Sequence, residues 1–146
     1  MATLGSYLAR SASVRPTVQA AIDGVRTCSQ TPASGEATLQ RAITTRQQII
    51  NGLGTLAPAG LPHGARLISG LTTAMQDSIT ADRDYQGWMA DVASSGSCAG
   101  NPADDPSYAA GQTASIQATA AKDAFVNIWN PMAPGYQQQT YSSTGF

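Results

Sequence analysis

The position of two cysteines is the feature that most constrains how this chain of 146 residues folds. Cys28 stands at the end of the first helical segment that the sequence pattern indicates, and Cys98 stands at the end of the third. If four segments run alternately up and down, the first and third are parallel, so their C-terminal ends lie at one end of a bundle. A disulfide between the two thiols would then require no distortion of the fold. The alternative is a pair of buried free thiols, because cysteine often behaves as a small apolar residue.

Apolar residues at intervals of three and four indicate four amphipathic helices and no strand. The helical segments are 3–30, 34–53, 62–95 and 105–130, and their apolar faces include Leu8, Val18, Ile43, Leu71, Met75, Phe125 and Trp129. Pro16 is expected to kink the first segment near residues 12–15, or to stand in the first turn of a helix that begins at Ser13. We therefore predict an all-α, four-helix, up-down-up-down bundle with a disulfide linking the C-terminal ends of helices 1 and 3.

Local signals predict where three of these helices begin. Ser34 is expected to cap the second helix, Pro62 to open the third, and Asp105 to cap the fourth, directly before a proline. We predict a single bundle domain over 1–134 and a polar C-terminal tail over 135–146. Three aromatic residues offer possible anchors for this tail: Tyr136, Tyr141 and Phe146.

Composition restricts the partners and the location. Charged residues make up 12% of the chain and the net charge is -1, so we expect no nucleic-acid partner, which would need a basic patch. No apolar run approaches 18 residues, and the first ten residues do not have the pattern of a signal peptide. A disulfide would indicate an oxidising compartment. We therefore expect a secreted or membrane-anchored, extracytoplasmic protein whose targeting segment lies outside this sequence.

Several stretches resemble an uncharacterised extracytoplasmic helical domain of actinobacterial secreted or membrane-anchored proteins. The similarity is carried by residues 26–28, 45–48, 61–88, 98, 108–111, 118–125 and 129–131. It covers nearly the whole chain, although the tail after Pro134 departs from the pattern. The resemblance implies a location and an architecture, and it supplies no activity and no catalytic residues.

Metal and catalytic motifs have little support in the sequence. His63 is the only histidine and has no neighbouring ligand, so we expect it to be exposed. Residues 82–87 resemble the start of a calcium loop, but Ala93 stands where a bidentate glutamate is needed. No phosphate-binding loop or nucleophile elbow is present. We therefore predict no metal, no cofactor and no enzymatic activity.

The inner face of the third segment carries one acidic residue that requires a partner. Asp82 lies on this face close to Tyr85 and Trp88, and an unpaired buried charge is costly. Three arginines are candidate partners: Arg15, Arg26 and Arg46. One interpretation is a structural ion pair, and the other is a ligand pocket. For the second we predict a pocket formed by Asp82, Tyr85, Trp88 and Arg46.

Two functions remain open from the sequence. The first is a non-enzymatic, sensor-type module that binds a small ligand or a protein partner outside the cytoplasm. The second is a structural or interaction domain of a larger cell-envelope protein.

Overall fold

The computed structural model describes residues 1–98 and 100–146. In this part of the chain the secondary structure is helical throughout. It comprises α1 (Ala2–Arg26), α2 (Pro32–Leu53), α3 (Gly64–Ser95) and α4 (Pro106–Trp129), with 3₁₀ turns at Pro102–Asp104 and Ala133–Tyr136. The four helices run up-down-up-down, so the predicted fold class is confirmed. Among the helices described here, none has the length and apolar character needed to span a membrane.

A disulfide joins Cys28 to Cys98, as the sequence predicted. At the end of α1 the chain makes a left-handed turn, with Cys28 at φ 58°. Ser29 N donates to Gly24 O, which satisfies a carbonyl of the last helical turn. After α3, Gly96 adopts a left-handed conformation at φ 67°. The two turns bring the cysteines to a Cα–Cα distance of 5.8 Å, within the range that a disulfide requires.

The helix starts agree with the sequence prediction at α4 and differ at α2 and α3. Asp105 caps α4 by accepting hydrogen bonds from Ser107 N at 2.8 Å and Tyr108 N at 3.1 Å. At α2 the cap is Thr31 and not Ser34, because Pro32 takes the first helical position. The start of α3 is Gly64, since His63 adopts a left-handed conformation that ends the preceding turn.

The first helix continues through Pro16 from Ala2 to Arg26. The alternative prediction of a helix that begins at Ser13, with Pro16 in its first turn, is therefore wrong. Side-chain hydrogen bonds flank the proline: Ser13 Oγ donates to Arg10 O at 2.8 Å, and Thr17 Oγ1 donates to Val14 O at 2.6 Å.

Helices that are consecutive in the chain pack against each other, α1 on α2, α2 on α3 and α3 on α4. Hydrogen bonds reinforce two of these pairs, from Arg10 to Gln48 at 2.8 Å and from Gln86 to the carbonyl of Glu36 at 3.1 Å. The pair that would close the bundle, α1 and α4, makes much less backbone contact. One side of the bundle is therefore less tightly closed than the other three.

The core consists of two apolar clusters at opposite ends of the bundle. The Trp129 cluster includes Leu4, Leu8, Ile49, Leu71, Phe125 and Trp129. The Trp88 cluster includes Val18, Ile22, Leu39, Tyr85, Trp88 and Met89. Each fully buried aliphatic or aromatic side chain contributes about 1.5–3 kcal/mol to folding, so the two clusters stabilise both ends of the bundle.

The end of the chain folds back onto the Trp129 cluster. Phe146 is fully buried there, and its ring lies 5.8 Å from the ring of Phe125. Trp129 Nε1 donates to Gln139 O, and Asn130 Nδ2 donates to Tyr141 O, both at 2.8 Å. Of the three possible aromatic anchors, Phe146 is buried, Tyr141 packs against it, and Tyr136 is 45% exposed.

Candidate functional site

A layer of buried polar side chains separates the two apolar clusters. We refer to this set as the polar layer, and it consists of Ser11, Arg46, Ser78, Asp82 and Lys122. All four helices contribute to it. Along α3, Ser78 and Asp82 stand between Met75 of the Trp129 cluster and Tyr85 of the Trp88 cluster. Burial of polar groups in a bundle core costs free energy. A core that served only to stabilise the fold would be apolar here, so this layer is the candidate functional site.

A cleft of about 270 Å³ opens onto the polar layer between α1 and α4. We refer to it as the α1–α4 cleft. It coincides with the pair of neighbouring helices that makes much less backbone contact than the other three neighbouring pairs. Arg15 and Gln19 of α1 face Gln112, Ser115 and Thr119 of α4 across it. Its lining also includes Arg46, Asp82, Tyr85 and Lys122. The cleft is therefore mainly polar, in contrast to the apolar cores on either side.

Arg46 and Asp82 form a buried ion pair within this lining. Arg46 Nη1 donates to Asp82 Oδ2, and each residue is only 3% exposed. Removal of one partner of such a pair leaves an uncompensated buried charge, which typically costs about 3–5 kcal/mol. Arg46 Nε is also buried, and it has no hydrogen-bond acceptor among the described residues. The protein thus leaves one hydrogen-bond donor of this ion pair, the Nε of Arg46, without an acceptor among the described residues.

The ionisation of Asp82 reflects two opposing effects. Burial raises the pKa of its carboxyl group to about 6, while the charges of Arg46 and Lys122 oppose this increase. A pKa below 7 leaves the carboxylate mostly ionised at neutral pH. Asp82 therefore neutralises Arg46 under physiological conditions.

Lys122 is the second buried cation of the site. Its ammonium group donates to the main-chain oxygen of Phe146 and lies 5.4 Å from the centre of the Phe146 ring. Burial, together with the positive charges of Arg46 and Arg15, lowers the pKa of Lys122 to about 7, and the charge of Asp82 opposes this decrease. The lysine is therefore close to half protonated at neutral pH.

Arg15 is a half-buried cation at the side of the cleft. Burial lowers the pKa of its guanidinium group, and the charge of Arg46 adds to this effect. The second carboxylate of the lining, Asp23, lies 3.1 Å from Arg26 in an exposed ion pair. Both carboxylates of the cleft are thus engaged by other arginines, and neither forms an ion pair with Arg15 or Lys122.

Aromatic rings form one end of the cleft. Tyr85 and Tyr108 contact each other edge to face, with ring centres 5.5 Å apart. Gly111 of α4 makes room for the first ring, since a Cβ atom at this position would lie 3.0 Å from two ring atoms of Tyr85. Tyr85 is buried, which raises the pKa of its hydroxyl group, while a hydrogen bond with Ser115 lowers it.

The structure brings three of the four predicted pocket residues together. Arg46, Asp82 and Tyr85 line the α1–α4 cleft. Trp88 is outside its lining and packs in the Trp88 cluster, where its ring lies 4.9 Å from that of Tyr108. Among the three arginines considered as partners of Asp82, the structure selects Arg46.

Of the other two cations of the cleft, Lys122 was not predicted as a site residue, and Arg15 was considered only as a partner of Asp82. A signal for Lys122 exists in the sequence, because it follows Ala118 by four residues and precedes Phe125 by three, on the apolar face of α4. The sequence indicates Arg15 less clearly, because this residue lines the cleft only as a result of the gap between α1 and α4. Of the remaining polar candidates, His63 is exposed at the start of α3 and lies outside the lining.

Comparison with known proteins gives no relative on which to base a function: no family model matches the chain, and no curated protein or solved structure matches it.

Proposed function

We propose that this protein is a non-enzymatic binding module that holds a small polar ligand in the α1–α4 cleft. The observation that carries this proposal is the polar layer at the base of the cleft. Arg46, Asp82 and Lys122 are each at least nine-tenths buried, although an apolar core of the same shape would avoid the cost of desolvating them. A ligand that pairs with these groups offsets that cost when it binds.

The geometry of the cleft supports a small-molecule ligand. A volume of about 270 Å³ is just below the range of about 300–1,000 Å³ that is typical of pockets for drug-sized molecules. Side chains of all four helices converge on it, so a ligand there would be held by the whole bundle. Gln19, Gln112 and Thr119 provide amide and hydroxyl groups at its sides.

A binding role, without a chemical step, agrees with the arrangement of the titratable groups. The carboxylate of Asp82 is engaged by Arg46, and that of Asp23 is engaged by Arg26. A general base must be free to accept a proton from the substrate, and neither group is free in this way. We therefore assign the cleft to recognition.

We further propose an extracytoplasmic location. The disulfide between Cys28 and Cys98 supports this placement, because such bonds persist in oxidising compartments. The resemblance to an extracytoplasmic helical domain of actinobacterial proteins agrees with it. In such a setting the module would bind a ligand outside the cytoplasm.

The proposal is tested by obstructing the cleft without changing its buried charges. Gln112 and Gln117 are both exposed residues of α4, but only Gln112 lines the cleft. We would screen small metabolites and cell-envelope fragments by thermal shift with the wild-type protein, and then measure each hit by calorimetry on Gln112→Trp and Gln117→Trp. A ligand that binds the folded state raises its melting temperature.

We expect Gln112→Trp to abolish binding and Gln117→Trp to preserve it. Circular dichroism of both variants should match that of the wild type, because both positions are at the surface. Equal binding by the two variants would place the ligand elsewhere and reject the cleft.

A further inference from the structure

We propose that the ligand of the α1–α4 cleft is a small organic anion whose carboxylate or phosphate group is bound between Arg15 and Lys122, next to Arg46. This inference rests on the proposed function and adds the charge of the ligand. It follows from the charges, the free donors and the size of the cleft.

The first argument is the charge balance of the lining. Arg46 is paired with Asp82, and Asp23 is paired with Arg26, so each pair is neutral. The basic side chains of the lining that remain without a side-chain carboxylate partner are Arg15, which is charged, and Lys122, which is about half protonated at neutral pH. The cleft therefore has a cationic excess, although the whole chain has a net charge of -1. Such a local excess in a concave, partly desolvated site attracts an anion.

The second argument is the supply of hydrogen-bond donors. The guanidinium group of Arg15 forms no hydrogen bond or ion pair with another described residue, although it is half-buried. Arg46 likewise has an unpaired buried Nε. Lys122 has three ammonium hydrogens, and Phe146 O accepts one of them. Two guanidinium groups and an ammonium group match the acceptor geometry of a carboxylate or phosphate.

The third argument is the proximity of these cations. Arg46 lowers the pKa of Arg15, and Arg46 and Arg15 both lower the pKa of Lys122. When Lys122 is protonated, three positive charges interact across the cleft from α1, α2 and α4, against the single buried carboxylate of Asp82 on α3. An anion placed among them would relieve this repulsion, which favours binding.

The rest of the cleft indicates the remainder of the ligand. Its volume of about 270 Å³ corresponds to about nine water molecules at liquid density, which exceeds one inorganic anion. Gln19, Gln112 and Thr119 can bind hydroxyl or amide groups. The ligand is therefore a small organic molecule with an anionic group at one end and uncharged polar groups at the other.

The test compares anions with neutral molecules of similar shape. We would use succinate with succinamide, and glucose 6-phosphate with glucose, and measure binding by NMR chemical-shift titration at constant ionic strength in a cationic buffer. The first pair represents a carboxylate ligand and the second a phosphate ligand. We expect at least one anion to bind with shifts at cleft residues and at least tenfold more tightly than its neutral counterpart.

A pair of arginine variants locates the anion. Arg15→Gln removes an unpaired cation of the cleft, and Arg66→Gln removes an exposed arginine of α3 outside the lining. Both variants change the net charge by the same amount. We expect the first to weaken anion binding by about tenfold or more, as is typical for the loss of a charge-assisted hydrogen bond, and the second to have no effect.

The outcomes separate this inference from the proposed function. Neutral compounds that bind in the cleft as tightly as the anions, with no effect of Arg15→Gln, would overturn the anionic ligand and leave the binding function intact. Equal loss in both arginine variants would show only non-specific attraction and would also overturn it. An absence of cleft shifts with every compound would count against both proposals.

Discussion

Lys122 is a buried amine that is costly to keep charged, and it also lines the α1–α4 cleft. It is the single lysine of the chain and is 2% exposed. Its ammonium group reaches the main-chain oxygen and the ring of Phe146. These contacts do not fully replace water, because burial still lowers the pKa of the group to about 7. Lys122 therefore makes stability dependent on pH in a range where few other groups titrate.

We expect Lys122→Met to remove a rise in stability between pH 7 and pH 9. The pKa of Lys122 is lowered from 10.5 to about 7 by folding, so the unfolded state binds more protons in this interval and the free energy of unfolding increases with pH. The increase is at most about 1.4 kcal/mol per pH unit. Urea unfolding of the wild type and Lys122→Met at pH 7, 8 and 9 measures the difference.

Other titrations in the cleft lie outside this window. The pKa of Asp82 is raised only to about 6, and that of Tyr85 is raised above its usual value of 10.0. The difference between wild type and variant therefore reports on Lys122. Identical slopes for the two proteins would show that the lysine is not strongly perturbed by folding.

At the scale of elements, the sequence predicts the helices better than their ends. The start of α4 was predicted correctly, because Asp105 and the following proline are both local signals. The start of α2 was misplaced, although Thr31 followed by Pro32 is the same kind of signal. At α3 the left-handed conformation of His63 sets the start, and nothing in the residue type requires it. A cap residue followed by proline therefore marks the start of both α2 and α4, whereas the start of α3 depends on a backbone conformation that the residue type does not determine.

The segment after α4 acts as part of the core, through one aromatic side chain. Phe146 is fully buried in the Trp129 cluster, whereas Tyr136 is 45% exposed. We expect Phe146→Ala to reduce the free energy of unfolding by about 3–5 kcal/mol, because it leaves a cavity against Phe125. Tyr136→Ala, the matched control, should change it by less than about 0.5 kcal/mol. Chemical denaturation compares the two, and similar effects would mean that the segment does not dock in solution.

At the scale of the whole molecule, the fold was predictable and the cleft was only partly so. The pairing of Cys28 with Cys98 follows from helix direction, and the burial of Asp82 follows from its place on an apolar face. The position of the cleft depends on the unequal packing of the four helices, with α1 and α4 apart. No local pattern encodes that inequality, so the contribution of Arg15 could not be deduced.

The disulfide restrains the helix that forms one side of the cleft. Closing a loop over a sequence separation of 70 contributes about 4 kcal/mol, so Cys28→Ser with Cys98→Ser should lower the free energy of unfolding by about this amount. Because α1 packs mainly on α2, we expect its amides to lose more protection from hydrogen exchange than those of α4. Hydrogen exchange followed by mass spectrometry measures both helices in one sample, and equal changes would contradict this role of the bond.

The contact between Lys122 and Phe146 connects two distant parts of the chain. The same ammonium group lines the α1–α4 cleft and holds the final residue of the sequence in the Trp129 cluster. We therefore expect a molecule in the cleft that alters the charge of Lys122 to alter the free energy with which Phe146 docks. Binding free energies are reciprocal, so docking of Phe146 changes the affinity of the cleft by the same factor. Lys122 would thus link occupancy of the cleft to the stability of the C-terminal segment.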